Sequence, residues 1–509
     1  MSKIKTSRRE FMKKFGLGIA VLTSGASPRL WRSKETGKDK KSRPNILFIC
    51  TDYQRGVDGP SLGTPFLDMP AFYRLCKEGM VFTRHYSTAP ICMPARYTWL
   101  TGRYPHYHGA WDNTRNWIPE KTPILVELLK AAGYKTIGVG KMHVKPWNRD
   151  IGFDKWISVD RKRNGKRDAV IDDDYSKFLD QHGMNRWNYL KLQSESEIFG
   201  VYDWPYDEKF HIDYYVGDQA KRIIKKNELK EPFLMWISFN GPHNPWDPPA
   251  EYSEPYKKMK LPLGNTFPGE LATKPKDHTR VRNNYTPQVP RLIDANPERR
   301  DEIIHRIRAG HYGGLTYIDR QLEKIFNALE DKGLFDETII IYSSDHGAHL
   351  GDHNLIHKGT HYDSSARVPF VVRYPKKIEP KQTDAFSSHV DLMPTLLDLA
   401  DIPIQKSLEG KSLVPILSGK EESVQDKVFI EIRGTTSIVT DDWKMGINPK
   451  DQDGDLYDLK NDPNELYNLF GKPEYAEIQT KLVDEIVKFN PALEEVLTGV
   501  DWLKKPMVQ

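Results

Sequence analysis

Two carboxylates, Asp52 and Asp345, each directly follow a short apolar run, "NILFICT" and "TIIIYSS". Lys141 with His143 follows "YKTIGVG", and His243 follows "FLMWISFNGP", in the same manner. His346 stands beside Asp345, while Arg96 and Lys358 add permanent positive charge. Asp52, Asp345 and His346 have the donor types of a divalent-cation site, carboxylate oxygens favouring a hard ion. Cationic side chains around such an ion suit a tetrahedral oxyanion under attack, because charge on its oxygens must be clamped in the transition state. Singly, each position has a plainer use as a helix cap or structural histidine; their convergence carries the inference.

The nucleophile is the open question. Cys92 lies in "ICMPARYTWLTGRYPH", two residues before a proline and four before Arg96, in a segment that reads as turn-like. The chain has only Cys50, Cys76 and Cys92, with no CxxC or Cys/His zinc spacing, so a disulfide framework is excluded. Cys50, after "NILFI", and Cys76, in "FYRLCKEGM", read as small buried hydrophobes. For Cys92, core residue, metal ligand and reactive precursor all remain open on spacing alone.

The elements that must position these groups are legible. "NILFIC" and residues 134–141, 233–243, 337–347 and 368–375 are apolar runs with the look of buried parallel strands. Amphipathic helices are expected over residues 122–133, 214–228 and 311–333, before the second, third and fourth strands. This alternation predicts a large, mostly parallel sheet covered by helices on both faces. In open α/β sheets ligands gather beyond the carboxyl ends of strands, where four strands here present their polar residues. A further helix is expected over residues 389–402. Beyond it, residues 426–447 and 454–466 alternate in short segments between turns, predicting a small antiparallel sheet, with a helix over 475–490 packed against it. The boundary falls near residue 410, giving a catalytic α/β domain over 44–410 and an α+β subdomain over 411–509. Residues 147–214 and 251–296, rich in Pro, Asn and charge, read as long loops around a substrate mouth.

With 75 basic and 70 acidic side chains the chain is only mildly basic, which is no nucleic-acid footprint. Residues 1–33 combine paired Arg8 and Arg9, a short apolar run and small residues, the layout of an export signal; "SRREF" resembles the twin-arginine type. Residues 34–43 read as a linker. No stretch is long and apolar enough to suggest a membrane span in the mature protein, so an exported, periplasmic or secreted enzyme is expected.

"CMPAR", followed by "LTGR", resembles the signature of formylglycine-dependent (type I) sulfatases of the alkaline phosphatase-like superfamily: Cys-x-Pro-x-Arg, then Leu-Thr-Gly. The likeness runs on through "RPNILFICTD", "GYKTIGVGKMH", "FNGPHNPWDPP", "SSDHGAHLGDHNLIHKGTHYDSSARVPFVV", "HVDLMPTLLDLA" and "DLYDLKNDPNELYNL". It implies an alkaline phosphatase-like fold and a Cys92 oxidised by a formylglycine-generating enzyme to an aldehyde whose hydrate attacks sulfur. It implies Asp52, Asp345, His346 and the modified Cys92 as metal ligands, with calcium favoured and manganese or magnesium open. It further implies Arg96 and His143 supporting the diol, His143 also as base, Lys141 and Lys358 on the sulfate oxygens, and His243 as acid for the leaving alcohol; Arg96 and His243 are also candidate substrate contacts.

Three positions depart from the family's pattern. Tyr53, followed by Gln54, stands where a second acidic or amide residue is usual, so either Gln54 reaches inward as a ligand or the site runs with one side-chain ligand fewer; His346 stands where Asn is common; Ala95 replaces a frequent Ser. The resemblance does not fix the substrate. His106, His108, Trp111, Trp246, His349, His353 and His357 are candidates for a rim that stacks on sugars and hydrogen-bonds their hydroxyls. With export and a mildly basic balance they favour a sulfated carbohydrate, polysaccharide or oligosaccharide. A phosphonate or phosphate ester hydrolase of the same superfamily, or a choline or aryl sulfatase, is the alternative; a binding relic is disfavoured because nucleophile and acid are both retained.

Overall fold

The computed structural model describes residues 43–114, 119, 122–160, 172–284, 286–497 and 503. The expected export signal and most of the linker lie outside these residues.

Eight strands make one sheet: β1 Asn45–Thr51, β2 Met80–Tyr86, β3 Lys135–Gly140, β4 Lys155–Ser158, β5 Phe233–Ser238, β6 Thr338–Ser344, β7 Phe370–Arg373 and β8 Lys381–Ser388. Their order across the sheet is β4-β3-β5-β1-β6-β7-β2-β8. All neighbours are parallel except around β7, which runs antiparallel to both β6 and β2. Alternation along β1 divides the core. Leu47 and Ile49 face one side with Val139, Ile237 and Ile340, beneath the helices Ile212–Lys225 and Arg300–Glu330. Ile46, Phe48 and Cys50 face the other with Trp236 and Ile341, beneath Cys92–Thr101, Leu125–Ala131 and Leu392–Leu399. Burial on both faces explains why the central strands are continuous apolar runs, each fully buried Leu, Ile or Phe contributing about 1.5–3 kcal/mol.

A second sheet is antiparallel: β9 Val428–Ile432, β10 Thr435–Val439, β11 Trp443–Asn448 and β12 Asp453–Asp458, in the order β12-β11-β10-β9. Ile438, Met445 and Leu456 of this sheet meet Leu482, Val483 and Ile486 of the helix Ala476–Phe489. The described residues from Arg43 onward form one compact unit.

Three expectations need correction, the first being the parallel reading of residues 368–375, since β7 runs antiparallel to both its neighbours. The "turn-like" Cys92 segment is helical, Cys92 being its first residue after an extended Ile91. The "loop-rich" middle carries the short helices Asp174–Asp180, Trp187–Glu195, Ala250–Lys257, Lys276–Asn284 and Gln288–Ala295, whose polar composition reflects partial exposure. Strands β2, β4 and β8 went unread: β4 and β8 are the sheet's edges, where half-exposed, polar residues dilute the apolar signal.

Candidate active site

The strand ends are zipped together just beyond the sheet. Asp52 N donates to Gly241 O (3.0 Å), Asp345 N to Thr51 O (3.2 Å) and Lys141 N to Ser238 O (3.1 Å). Gly140 makes the last turn possible: at φ +102°, an added Cβ would stand 2.0 Å from the Ser238 carbonyl oxygen. Asp52, Lys141 and Asp345 are thereby buried around one point, and the helix beginning at Cys92 brings its thiol to them from one face.

The geometry is tight. Lys358 Nζ lies 2.7 Å from Cys92 Sγ and Lys141 Nζ 3.9 Å from it, so two lysines flank position 92. Lys141 also donates to Asp52 Oδ2 at 2.5 Å. His346 Nε2 is 3.3 Å from Cys92 Sγ, 3.6 Å from Asp52 Oδ1 and 3.4 Å from Asp345 Oδ1. Arg96, fully buried, donates through Nε to Asp345 Oδ2 (2.9 Å) and through Nη1 to Ser238 Oγ (2.7 Å) and the Lys141 carbonyl (2.5 Å). It props the carboxylate and the lysine loop from below. His143 lies two residues past Lys141 with φ +56°, half-buried.

Ligand atoms of Asp52, Cys92, Asp345 and His346 all lie within 4.8 Å of one another. Asp345 Oδ1 is buried with no hydrogen-bond partner. That orphaned oxygen, among two carboxylates and an imidazole, fits a divalent cation. Burial would raise both carboxyls. Lys141, His243 and Lys358 nevertheless hold Asp52 well below the usual range, whereas Asp345, burdened by burial and by the Asp52 charge, is pushed up to about 6. Burial and Asp52 also push the Cys92 thiol up, so an unmodified cysteine here is held protonated. Arg96, Lys141 and Lys358 outnumber the two carboxylates by one, which leaves the centre able to take an anion.

The doubt over Tyr53 and Gln54 resolves in geometry. Gln54 Oε1 accepts from Thr51 Oγ1 (3.0 Å) and Tyr342 OH (2.6 Å), and its Nε2 donates to Asp58 O (2.6 Å), so its amide is spent away from the cluster. Tyr53, at φ +86°, packs edge-on to His243 (4.2 Å between centroids) and offers its face to Lys358 Nζ at 4.2 Å. A π face thus supports the lysine where the family usually has a side-chain ligand.

Ser238 was not foreseen, and neither was the hold of the small sheet on the Lys358 segment. Arg433 Nη1 donates to Gly359 O (2.9 Å), Lys444 Nζ donates to Asp363 Oδ1 (2.6 Å) and His361 Nε2 lies 3.0 Å from Asp455 Oδ2. Contacts between residues 70 to 100 apart leave no local sequence signal.

Most of the expected rim is structural. Trp246 is buried and stacks on buried His357 (5.7 Å, 11°), His349 and His353 are buried, and His108 is enclosed beside Tyr97. His106 sits between Glu409 Oε1 (3.2 Å) and Glu431 Oε2 (2.9 Å). Burial opposes its protonation, but hydrogen bonds to both carboxylates outweigh burial and raise it to about 9. A histidine raised above its unfolded value of about 6.5 contributes stability that is complete below that pH and lost as pH climbs through the folded value. His106→Ala should therefore be less stable than wild type at pH 7 by about 1–2 kcal/mol, allowing for partial exposure, with the gap closing towards pH 10. Melting temperatures of both proteins across that range test it; a gap constant with pH would refute the ion pair.

A mostly parallel sheet whose strand ends meet at a cluster able to hold a cation, flanked by two lysines, suits hydrolysis of an oxyanion ester. The chain matches the family model described as Sulfatase over residues 44–402, and that described as N-sulphoglucosamine sulphohydrolase, C-terminal, over residues 351–491. It is 30% identical to an arylsulfatase of Clostridium perfringens over 485 residues, covering 91% of this chain and 98% of that one. It is 26% identical to an N-acetylglucosamine-6-O-sulfatase of Bacteroides thetaiotaomicron, covering 92% of this chain and 88% of the relative. Its fold is similar to that of a phosphonate monoester hydrolase of Agrobacterium radiobacter (TM-score 0.74, 23% identity, 88% of this chain and 96% of that one). It is similar also to a protein solved with its substrate D-glucosamine-2-N,6-O-disulfate (TM-score 0.68, 22% identity, 91% and 100%). The chain belongs to the sulfatase family and is a sulfuric ester hydrolase.

Proposed function

We propose that this enzyme removes sulfate from a sulfated carbohydrate, through a formylglycine made from Cys92 and a divalent cation held by Asp52, Asp345, His346 and residue 92. The observation that carries the chemistry is the pair of lysines flanking position 92, 2.7 Å and 3.9 Å from Sγ, above two buried carboxylates. The carbohydrate reading is supported by the C-terminal match and by the glucosamine-derivative chemistry in the descriptions of two similar proteins.

A hydrated aldehyde at position 92 supplies a nucleophilic oxygen and a second hydroxyl whose ionisation drives sulfate off again. A divalent cation, calcium by resemblance, would be held by Asp52, Asp345, His346 and residue 92 and would supply Lewis-acid charge there. The chain's own residues do the rest. Lys141 and Lys358 hold the sulfate oxygens as charge builds on them, Arg96 keeps Asp345 in place, His243 protonates the departing sugar oxygen, and His143 takes the proton that releases sulfate. Export by the twin-arginine route and maturation by a formylglycine-generating enzyme belong to the same reading. Among the described residues no helix is long and apolar enough to cross a membrane.

Sulfate and phosphate esters of the same sugar alcohols, assayed side by side, test this reading. Sulfated saccharides should turn over fastest, and chelation or Asp345→Ala should abolish turnover with only a modest fall in melting temperature. Faster release from the phosphate esters, or full activity after exhaustive chelation, would overturn it.

A further inference from the structure

Of the aromatic and histidine residues expected at the rim, Trp111 is one that does line an open pocket. The pocket measures about 560 Å³ and is walled on its other sides by residues of the Lys276–Asn284 helix and of loops in the small sheet. Two hydrogen bonds tie its walls to residues that neighbour the catalytic centre in the chain. Asn113, two residues past Trp111, accepts a hydrogen bond from Met93 N (3.0 Å), next to the nucleophile position. Arg433, on the tight turn between β9 and β10, donates to the carbonyl of Gly359, next to Lys358. Gly359 has φ +104°, and an added Cβ would meet the Arg433 guanidinium at 2.7 Å, so the glycine makes room for the arginine at the pocket floor. The segments that line the pocket are thus hydrogen-bonded to the residues next to Cys92 and Lys358, which the sulfate reading places on the ester.

The lining is charge-balanced. Its basic members Arg280, Arg433 and Lys450 are matched by Asp112, Asp277 and Asp451. Arg280 forms a two-pronged ion pair with Asp451, and Arg433 lies 3.8 Å from Asp277. A pocket selecting a second anionic substituent would carry a surplus of cations, as the sulfate centre does. Alternating carboxylates and guanidinium groups beside an indole face have a different complement, since each sugar hydroxyl both donates and accepts and a pyranose ring presents an apolar face for stacking.

We infer that this pocket is the subsite for an uncharged sugar ring next to the sulfate ester, stacked on Trp111 and hydrogen-bonded by the Arg280–Asp451 pair. This rests on the carbohydrate reading and narrows it: the sulfated residue is joined to, or is itself, a ring without a carboxylate or second sulfate at this site. Size fits, since pockets of about 300–1,000 Å³ take ligands from one ring to a few.

The test uses the inactive Cys92→Ala protein on an array of sulfated oligosaccharides. One set has neutral neighbours (sulfated N-acetyllactosamines and sulfated galactans); the other has uronate neighbours (heparan and chondroitin fragments). Binding is expected to favour the neutral set by tenfold or more, and adding Trp111→Ala or Asp451→Asn should weaken it about tenfold. Preference for uronate-bearing glycans, binding indifferent to both substitutions, or a silent array would overturn the inference. Kinetics of the Trp111→Ala enzyme with intact Cys92 separate this from failure of the broader reading. A raised KM for the sulfated saccharide with unchanged kcat on nitrophenyl sulfate supports the subsite. Sulfate release from saccharides at unaltered KM overturns the subsite alone. A wild-type enzyme that cleaves only aryl or choline sulfate, with Trp111→Ala raising KM for those, overturns both the carbohydrate reading and the sugar assignment.

Discussion

Cys92→Ala should cost roughly 10⁴-fold or more in sulfate release while leaving the molecule folded and able to bind substrate. The side chain is 1% exposed and only one sulfur is removed, so the loss in stability should be about 1 kcal/mol. Lys358 keeps a neighbour in His346 Nε2 at 3.0 Å, and Lys141 keeps Asp52. The same reasoning predicts that protein carrying the plain thiol is inactive. Burial and Asp52 keep the thiol protonated, and sulfate transferred to sulfur would have no internal route of release. Active protein should yield a Cys92 peptide about 18 Da lighter than the cysteine form, since an aldehyde replaces the thiol-bearing carbon. Mass spectrometry of that peptide, with turnover and melting measured on the same preparations, decides the matter. Near-normal turnover by Cys92→Ala, or by protein whose peptide is all cysteine, would remove the nucleophile from position 92.

The central sheet was readable because its strands are buried on both faces and so become unbroken apolar runs, as in "NILFICT" and "TIIIYSS". The polar residues that end those runs were readable for a related reason: a charged group directly after a buried strand has to be used for something. What escaped notice depends on distance in the chain or on exposure. The edge strand Lys381–Ser388 is buried only in its second half, and just Ala385 and Phe386 of its residues are apolar. Ser238 gives no hint that it faces Arg96 from 142 residues away. The histidines misled for a physical reason: His349, His353 and His357 looked like rim groups by type and proximity to Lys358, yet they are buried, and type alone cannot distinguish a sugar contact from a packed imidazole. Gln54 was a fair candidate ligand until Thr51, Tyr342 and Asp58 were found to occupy its amide.

His243→Ala should damage turnover of a sulfated sugar far more than turnover of nitrophenyl sulfate. A sugar alkoxide is a poor leaving group and needs a proton in the transition state, whereas nitrophenolate departs with little help; general acid catalysis is worth roughly 10²–10⁴ in rate where it is needed. His243 Nδ1 donates to the Asn244 carbonyl at 2.6 Å, and Tyr53 packs against the ring, so its other nitrogen is held in a fixed direction. Burial and the nearby Lys358 hold the resting imidazole well below its ordinary pKa, so its second proton must arrive with the substrate, whose sulfate offsets that lysine. Two consequences follow from this arrangement. Turnover of the sugar sulfate should fall with rising pH earlier than turnover of the aryl sulfate, because only the former needs the protonated form. Lys358→Ala, by contrast, should cost both esters alike, since the sulfate oxygens it faces are the same in each. If His243 only braced its loop, His243→Ala would slow both esters equally and lower the melting temperature. Rates of the two variants on the two esters from pH 5 to 9, with melting temperatures alongside, separate these cases, and equal losses on both esters would take the acid role from His243.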